Sequence, residues 1–120
     1  MTDEIAKLLE QKVRENAGSE KLALKLLIGA NIVRNCASEH SEDGQALLKK
    51  MFVPIVSEGA KCAASKAGIA DAVERDLAEK ICFRDAADST KASTQLTEKE
   101  TAIFDAIRAC TIAAIPSPKV

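Results

Sequence analysis

The residues best suited to chemistry in this sequence are Arg34, Asn35 and His40, which lie within one short stretch. His40 is the only histidine of the chain, and an imidazole side chain titrates near neutral pH. An arginine side chain stabilises the charge of a phosphate through two parallel hydrogen bonds. These residue types are suited to binding a charged phosphate group and to acid–base chemistry near neutral pH.

The four cysteines of the chain offer little further chemistry. They are Cys36, Cys62, Cys82 and Cys110. No two of them form a Cys-x-x-Cys pair, and a single histidine cannot complete a His-rich zinc site or a di-iron site. A reactive thiolate at Cys36 beside His40 would need an electropositive pocket, whereas acidic residues follow at positions 39, 42 and 43. We therefore expect no metal site and no cofactor.

The N-terminal end and the hydropathy pattern indicate a cytoplasmic protein. Residues 1–5 are polar and acidic, which is not typical of a secretory signal. The most apolar stretch, residues 22–28, contains Lys25 and is too short to cross a bilayer, so we expect no membrane segment. Because thiols stay reduced in the cytoplasm, we predict that all four cysteines are free and lie in core positions.

The composition indicates one globular, all-α domain. Hydrophobic residues make up 47% and charged residues 29% of the 120 residues, and the net charge is −1. This balance gives no general attraction to nucleic acid or to anionic membranes. There is no Trp or Tyr, Phe occurs three times, and alanine, the best helix former, is common. We predict a single domain over residues 1–115 and a C-terminal tail over residues 116–120.

Local signals predict where the helices begin and end. We expect a first helix from a cap at Thr2 to a stop at residues 16–18 and a second from a cap at Ser19 to Ser38. A third helix should start at a Ser41 cap, and a further one should follow the apolar repeat at residues 69–81. The last helix should run from the capping box at residues 97–100 to Pro116. Residues 84–95 are polar and should form a loop.

Two helices should have unusual features. Pro54 lacks an N–H group and crowds the preceding turn, so we predict either two short helices that meet near residues 52–54 or one kinked helix. In the second helix, Leu24, Ile28 and Ile32 extend an already broad apolar surface. A helix that is apolar over most of its circumference should be packed on several sides.

A faint internal repeat leads to a family resemblance. The sequence Arg34-Asn35-Cys36-Ala37 is echoed at residues 75–78 and, more weakly, at residues 108–111. A period of about forty residues is typical of HEAT and armadillo repeats. Residues 24–56 resemble an armadillo-repeat junction, with a helix that closes at residues 32–37, a short helix at residues 41–48 and a further helix that opens with Val-Pro at residues 53–54.

The armadillo resemblance implies a peptide-binding role for particular residues. In that family an asparagine of the third helix lines a groove and hydrogen-bonds the backbone of an extended peptide. Here this position is Asn35, with Asn31 one turn earlier and Asp76 as the equivalent in the next unit. The sequence departs from the family where Met51 and Phe52 replace the usual glycine. The alternative is that both asparagines are polar residues on an exposed helix face.

A second resemblance concerns the stretch from Arg34 to His40. It is similar to the Arg-x4–6-His motif of HEPN-type ribonucleases, which are small all-α domains. In that family the Arg and His of two protomers act together on the scissile phosphate, which here implies Arg34, Asn35 and His40 as catalytic residues. The aromatic residue expected soon after the His is missing, and the neighbouring acidic residues would repel RNA.

These observations predict a compact four- to six-helix bundle or a short armadillo-like repeat array. For its function we expect a non-enzymatic interaction or assembly domain that binds a protein or peptide partner, or other copies of itself. Asn31, Asn35 and Asp76 are the expected partner-binding residues. The alternative is a HEPN-like ribonuclease that uses Arg34 and His40, although the net charge gives no reason to expect a nucleic-acid partner.

Overall fold

The computed structural model describes residues 2–115, and these residues are 85% helical with no strand. The α-helices are α1 (Thr2–Asn16), α2 (Glu20–Ser38), α3 (Ser41–Leu47), α4 (Val53–Ala64), α5 (Ala72–Ser93) and α6 (Glu98–Ala114), and a π-helical turn (Leu48–Phe52) joins α3 to α4. The all-α prediction is confirmed. The predicted tail of residues 116–120, with the helix stop at Pro116, lies outside the described residues.

Three helices begin at side-chain caps. The Ser19 hydroxyl accepts a hydrogen bond from the Leu22 N–H at the start of α2, as predicted. At α6 the Thr97 hydroxyl accepts from the Glu100 N–H, and the Glu100 carboxylate accepts from the Thr97 N–H, which confirms the capping box. The cap of α5 is Asp71, which the sequence analysis did not identify. Each such cap satisfies backbone N–H groups that have no partner inside the helix.

The break predicted at Pro54 takes the form of the π-helical turn. The chain is helical without interruption from Ser41 to Ala64, but the Val53 N–H donates to the Leu48 carbonyl, five residues earlier. This wider turn comes directly before the proline, whose ring would crowd a carbonyl of a regular α-helix. The predicted cap at Ser41 is wrong, because no side chain caps α3 and Ser41 itself has a positive φ of 56°.

The loop predicted over residues 84–95 is also wrong, because α5 continues as a helix to Ser93. The polar residues of this stretch pair with α6 instead of ending the helix. Arg108 donates to Asp88 at 2.6 Å, and Lys91 pairs with Asp105 at 2.8 Å. Only Ala87 of this stretch is buried. The stretch therefore has no large apolar side chains at helical spacing, which is the pattern that would have predicted a helix.

The core lies between α1, α2, the π-helical turn, α4 and α6. Its largest fully buried side chains are Phe104, Leu9, Leu47, Leu48, Met51, Ile107 and Val13. The rings of Phe52 and Phe104 pack with centroids 5.2 Å apart. Helix α5 lies at the edge of this core and packs mainly against α4. Many other core positions hold alanine, which allows the helices to approach closely.

Two disulfide bonds join neighbouring helices, so the prediction of four free thiols is wrong. Cys36 of α2 is bonded to Cys110 of α6, and Cys62 of α4 is bonded to Cys82 of α5. The Cα atoms of the two pairs are 5.9 and 5.7 Å apart, which is a usual distance for a disulfide. The partners lie 74 and 20 residues apart in sequence, so only the packing of the helices brings them together.

We predict no free thiol in the unfolded, non-reduced protein and four after reduction. In the chain-entropy model a crosslink over 74 residues contributes about 4 kcal/mol to the free energy of unfolding, and one over 20 residues about 3 kcal/mol. Replacement of both members of a pair by alanine should therefore cost more at Cys36 and Cys110 than at Cys62 and Cys82. Thiol titration and urea unfolding test this. Four thiols that titrate before reduction would contradict the pairing.

Helices α4 and α5 meet closely at Gly59. A Cβ atom at this position would overlap the ring of Phe83. Glycine is therefore required for the two helices to approach as they do, one turn from the Cys62–Cys82 bond.

Alanine substitutions at two glycines should have opposite effects. Gly59→Ala forces the Phe83 ring to move and should lower the free energy of unfolding by about 1–3 kcal/mol. Gly29→Ala is the matched control, because Gly29 lies within α2 and a Cβ there meets no atom within 4 Å. It should raise the free energy of unfolding by up to about 1 kcal/mol. Equal effects in urea unfolding would disprove the close contact.

Candidate interaction surface

One side of α2 forms an exposed stripe that no other part of the described chain covers. We call it the α2 seam, and it consists of Lys21, Leu24, Ile28, Asn31, Asn35 and Ser38, which are all exposed. The intervals between these residues alternate between three and four, so they form a narrow row along the helix. Leu24 is 54% and Ile28 is 61% exposed, values that are high for large apolar side chains.

The opposite side of α2 explains why the seam stays open. Its buried residues are Ala23, Ala30, Val33, Cys36 and Ala37, which are all small or medium-sized. They pack against α1, α3 and α6, and the disulfide from Cys36 holds α6 in place. The seam points away from these contacts. The prediction that α2 is packed on several sides is therefore wrong at Leu24 and Ile28 in the single chain.

Two kinds of side chain flank the seam. On the α1 side, Leu27 and Arg34 line a shallow pocket together with Asn31 and residues of α1. On the other side, Ile32 packs against the core and Lys25 reaches to α5. The flanks thus hold partly buried apolar side chains at the middle of the helix and charged side chains nearer its ends.

Lys25 joins α2 to α5 through two carboxylates. Its Nζ atom lies 2.8 Å from a carboxylate oxygen of Asp76 and 2.5 Å from one of Glu79. The Glu79 side chain is only 7% exposed, and Asp76 also pairs with Lys80 at 3.4 Å. A buried carboxylate is costly unless it is paired, so Lys25 is needed to hold Glu79 in place.

The contacts of this cluster shift two pKa values in opposite directions. Burial works against the charge on Asp76, but the hydrogen bond from Lys25 and the charges of Lys25 and Lys80 outweigh it and lower the pKa of Asp76. Burial likewise opposes the charge on Lys25, but the hydrogen bonds to Asp76 and Glu79 prevail and raise the pKa of Lys25. Both groups are therefore more firmly charged in the folded protein than in the unfolded chain.

The structure brings together two of the three expected partner-binding residues. Asn31 and Asn35 lie next to each other on the α2 seam, and both are exposed. Asp76 lies on α5, where its carboxylate is already paired with two lysines. The exposure of Leu24 and Ile28 was not expected from the sequence, although their spacing to the two asparagines follows the same alternation of four and three.

Arg34, Asn35 and His40 do not form one group within the chain. Arg34 faces the pocket beside α1, Asn35 lies on the seam, and His40 precedes the first residue of α3. The backbone N–H of His40 donates to the Ala37 carbonyl, but within residues 2–115 neither the Arg34 nor the His40 side chain makes a hydrogen bond or an ion pair. Catalysis across two protomers, which the HEPN resemblance implies, stays a prediction.

No protein-family model matches this chain, and neither does any curated protein or solved structure. The resemblance to armadillo repeats stays a prediction as well. In the described part of the chain, no helix is both long and apolar enough to cross a membrane. Among the same residues, no group of three or more His, Cys, Asp or Glu side chains is placed to hold a metal ion.

Replacement of Lys25 should destabilise the fold more than replacement of an exposed lysine. Lys25→Met leaves the buried Glu79 carboxylate without its cation and should lower the free energy of unfolding by about 1–3 kcal/mol. The control is Lys99→Met, because Lys99 and its partner Asp43 are 75% and 57% exposed, and it should cost less than about 1 kcal/mol. Urea unfolding at neutral pH measures both losses.

The effect of Lys25→Met should also depend on pH. Because the folded-state pKa of Asp76 is lowered, its contribution is fully present above the unfolded-state value near 3.8 and is lost as the pH falls through the folded-state value. The stability difference between wild type and Lys25→Met should thus shrink below about pH 4. A difference that stays constant in stronger acid would show that the Asp76 pair does not contribute.

Proposed function

We propose that this protein is a non-enzymatic helical interaction domain that binds its partner through the α2 seam. The observation that carries the proposal is the exposure of Leu24 and Ile28 in a row that holds no charged residue from Leu24 to Ser38. Full burial of a leucine or isoleucine side chain is worth about 1.5–3 kcal/mol, so both residues could contribute strongly to an interface.

The spacing of the seam supports a helix as the bound element. A second helix packs into such a row by placing its own side chains between those at intervals of three and four. It would contact Leu24, Ile28, Asn31 and Asn35 at once. The extended peptide implied by the armadillo resemblance would use mainly the two asparagines and would leave the apolar residues uncovered. Helix-on-helix binding therefore accounts for more of the surface.

The disulfides support a different compartment from the one expected. Stable disulfide bonds are typical of secreted, lumenal and periplasmic proteins and are rare in the cytoplasm. The cytoplasmic expectation was linked to free thiols, whereas all four cysteines are paired. We propose that the domain works in an oxidising compartment.

A labelled synthetic helix tests the proposed function. The probe is a fluorescent peptide of a few heptads with Ile and Leu at its own seam positions, and fluorescence anisotropy measures its binding. Wild-type protein should bind the probe, and Ile28→Glu should weaken binding by at least about tenfold because it buries a charge in the seam. The matched control is Ile112→Glu on α6, since Ile112 is exposed to 63% and lies off the seam.

Two results would contradict the proposal. Equal loss of binding in Ile28→Glu and Ile112→Glu would mean that the probe binds apolar surface in general. Cleavage of single-stranded RNA by wild-type protein that disappears in His40→Ala would show catalysis and would favour the ribonuclease alternative.

A further inference from the structure

We propose that the partner of the α2 seam is a second copy of this chain, whose α2 packs in parallel across a two-fold axis. This inference rests on the proposed function and adds the identity and the direction of the bound helix. In a parallel pair each seam residue faces the same residue of the second copy. Direction and pairing can therefore be judged from the order of residues along the seam.

The seam residues fall into the two core positions of a heptad. Lys21, Ile28 and Asn35 are seven residues apart and occupy the first core position, usually called a. Leu24, Asn31 and Ser38 occupy the second, called d. Isoleucine at a with leucine at d favours two parallel strands, and asparagine at a sets the register by bonding to its own copy. Ile28, Leu24 and Asn35 follow this pattern.

An antiparallel pair would fit the same residues poorly. It would place Leu24 opposite Asn35 and Ile28 opposite Asn31, so that every central contact would join an apolar side chain to an amide. The buried amides would then lack hydrogen-bond partners, which is costly. In the parallel pair apolar residues meet apolar residues and asparagines meet asparagines.

The flanks of the seam add complementary charge. In a parallel coiled coil a residue at the position before a, called g, meets the residue five places later on the other helix. Here Arg34 would meet Glu39 of the second copy, and Leu27 would meet Ile32. Within residues 2–115 neither Arg34 nor Glu39 has an ion-pair partner, so both are available. The pair forms twice because of the two-fold axis.

The two ends of the seam are polar, with Lys21 at one end and Ser38 at the other. Lys21 would lie opposite Lys21 of the second copy at the end of the seam, where the solvent screens the repulsion between the two ammonium groups. The short seam implies a weak dimer that forms reversibly.

Sedimentation equilibrium of the full chain up to millimolar concentration tests self-association. Wild type should dimerise, and Ile28→Glu should raise the dimer dissociation constant by at least about 100-fold, since it places two carboxylates face to face. Ile112→Glu should leave the constant unchanged. Both residues are exposed, so thermal unfolding should show that both variants fold normally.

Charge reversal tests the direction of the pair. Arg34→Glu alone and Glu39→Arg alone should each weaken the dimer about fivefold. The double variant should regain wild-type association in a parallel pair, because the two new charges meet each other. In an antiparallel pair Arg34 would face Glu20 and Glu39 would face Lys25, so the double variant would be weaker than either single variant. That outcome would overturn the parallel arrangement.

The outcomes separate this inference from the proposed function. A wild type that stays monomeric but binds the synthetic helix in an Ile28-dependent manner would overturn the homodimer and leave the interaction surface intact. A wild type that stays monomeric and does not bind the synthetic helix would overturn both the homodimer and the proposed function. A dimer that survives Ile28→Glu would overturn the α2 homodimer, because the chain would then associate through another surface, while the proposed function would still be decided by Ile28-dependent binding of the synthetic helix.

Discussion

The disulfide between Cys36 and Cys110 fixes the arrangement on which the rest of the structure depends. It holds α6 along α2, and α6 brings Phe104 and Ile107 into the centre of the core. The chain has only three aromatic residues, and many of its core positions hold alanine, so hydrophobic burial alone gives a limited margin of stability. Cys62–Cys82 plays the same part for α5, which adds only Glu79, Cys82 and Ala87 to the buried residues. Crosslinks thus replace part of the stabilisation that a larger core would give.

The same small side chains shape the surface of α2. The buried side chains of α2 are alanine, valine and cysteine. Leu22, Leu26, Leu27 and Ile32 are partly buried against the core, whereas Leu24 and Ile28 are exposed. On one flank Lys25 is occupied by Asp76 and Glu79, so it cannot easily serve a partner. On the other flank Arg34 remains unpaired within the described residues. The helix therefore offers a row with two exposed apolar side chains, Leu24 and Ile28, and an available positive charge near one end.

Much of the fold could be predicted from local signals in the sequence. The caps at Ser19 and Thr97 and the stop near Gly18 mark helix ends through backbone geometry, which depends only on neighbouring residues. The disulfides could not be predicted, because their partners meet only after the helices pack. The second half of α5 was missed for a related reason, since the residues that stabilise it, Asp105 and Arg108, lie on another helix. For the candidate site, Asn31 and Asn35 were found from a motif, while the outward direction of Leu24 and Ile28 depends on which face the neighbours cover.

The π-helical turn has a consequence for the whole second half of the molecule. A hydrogen bond between residues five apart, in place of residues four apart, is equivalent to one extra residue in the helix. Each residue of an α-helix rotates the chain by about 100° around the helix axis. Helix α3 faces α2 and α6, whereas α4 faces α1 and α5. The extra residue rotates the faces of α4 relative to those of α3, so that one unbroken helical segment can pack against both sets of neighbours. Deletion of a single residue between positions 48 and 52 would turn Gly59 and Cys62 away from α5, as if the segment had been rewound by part of a turn.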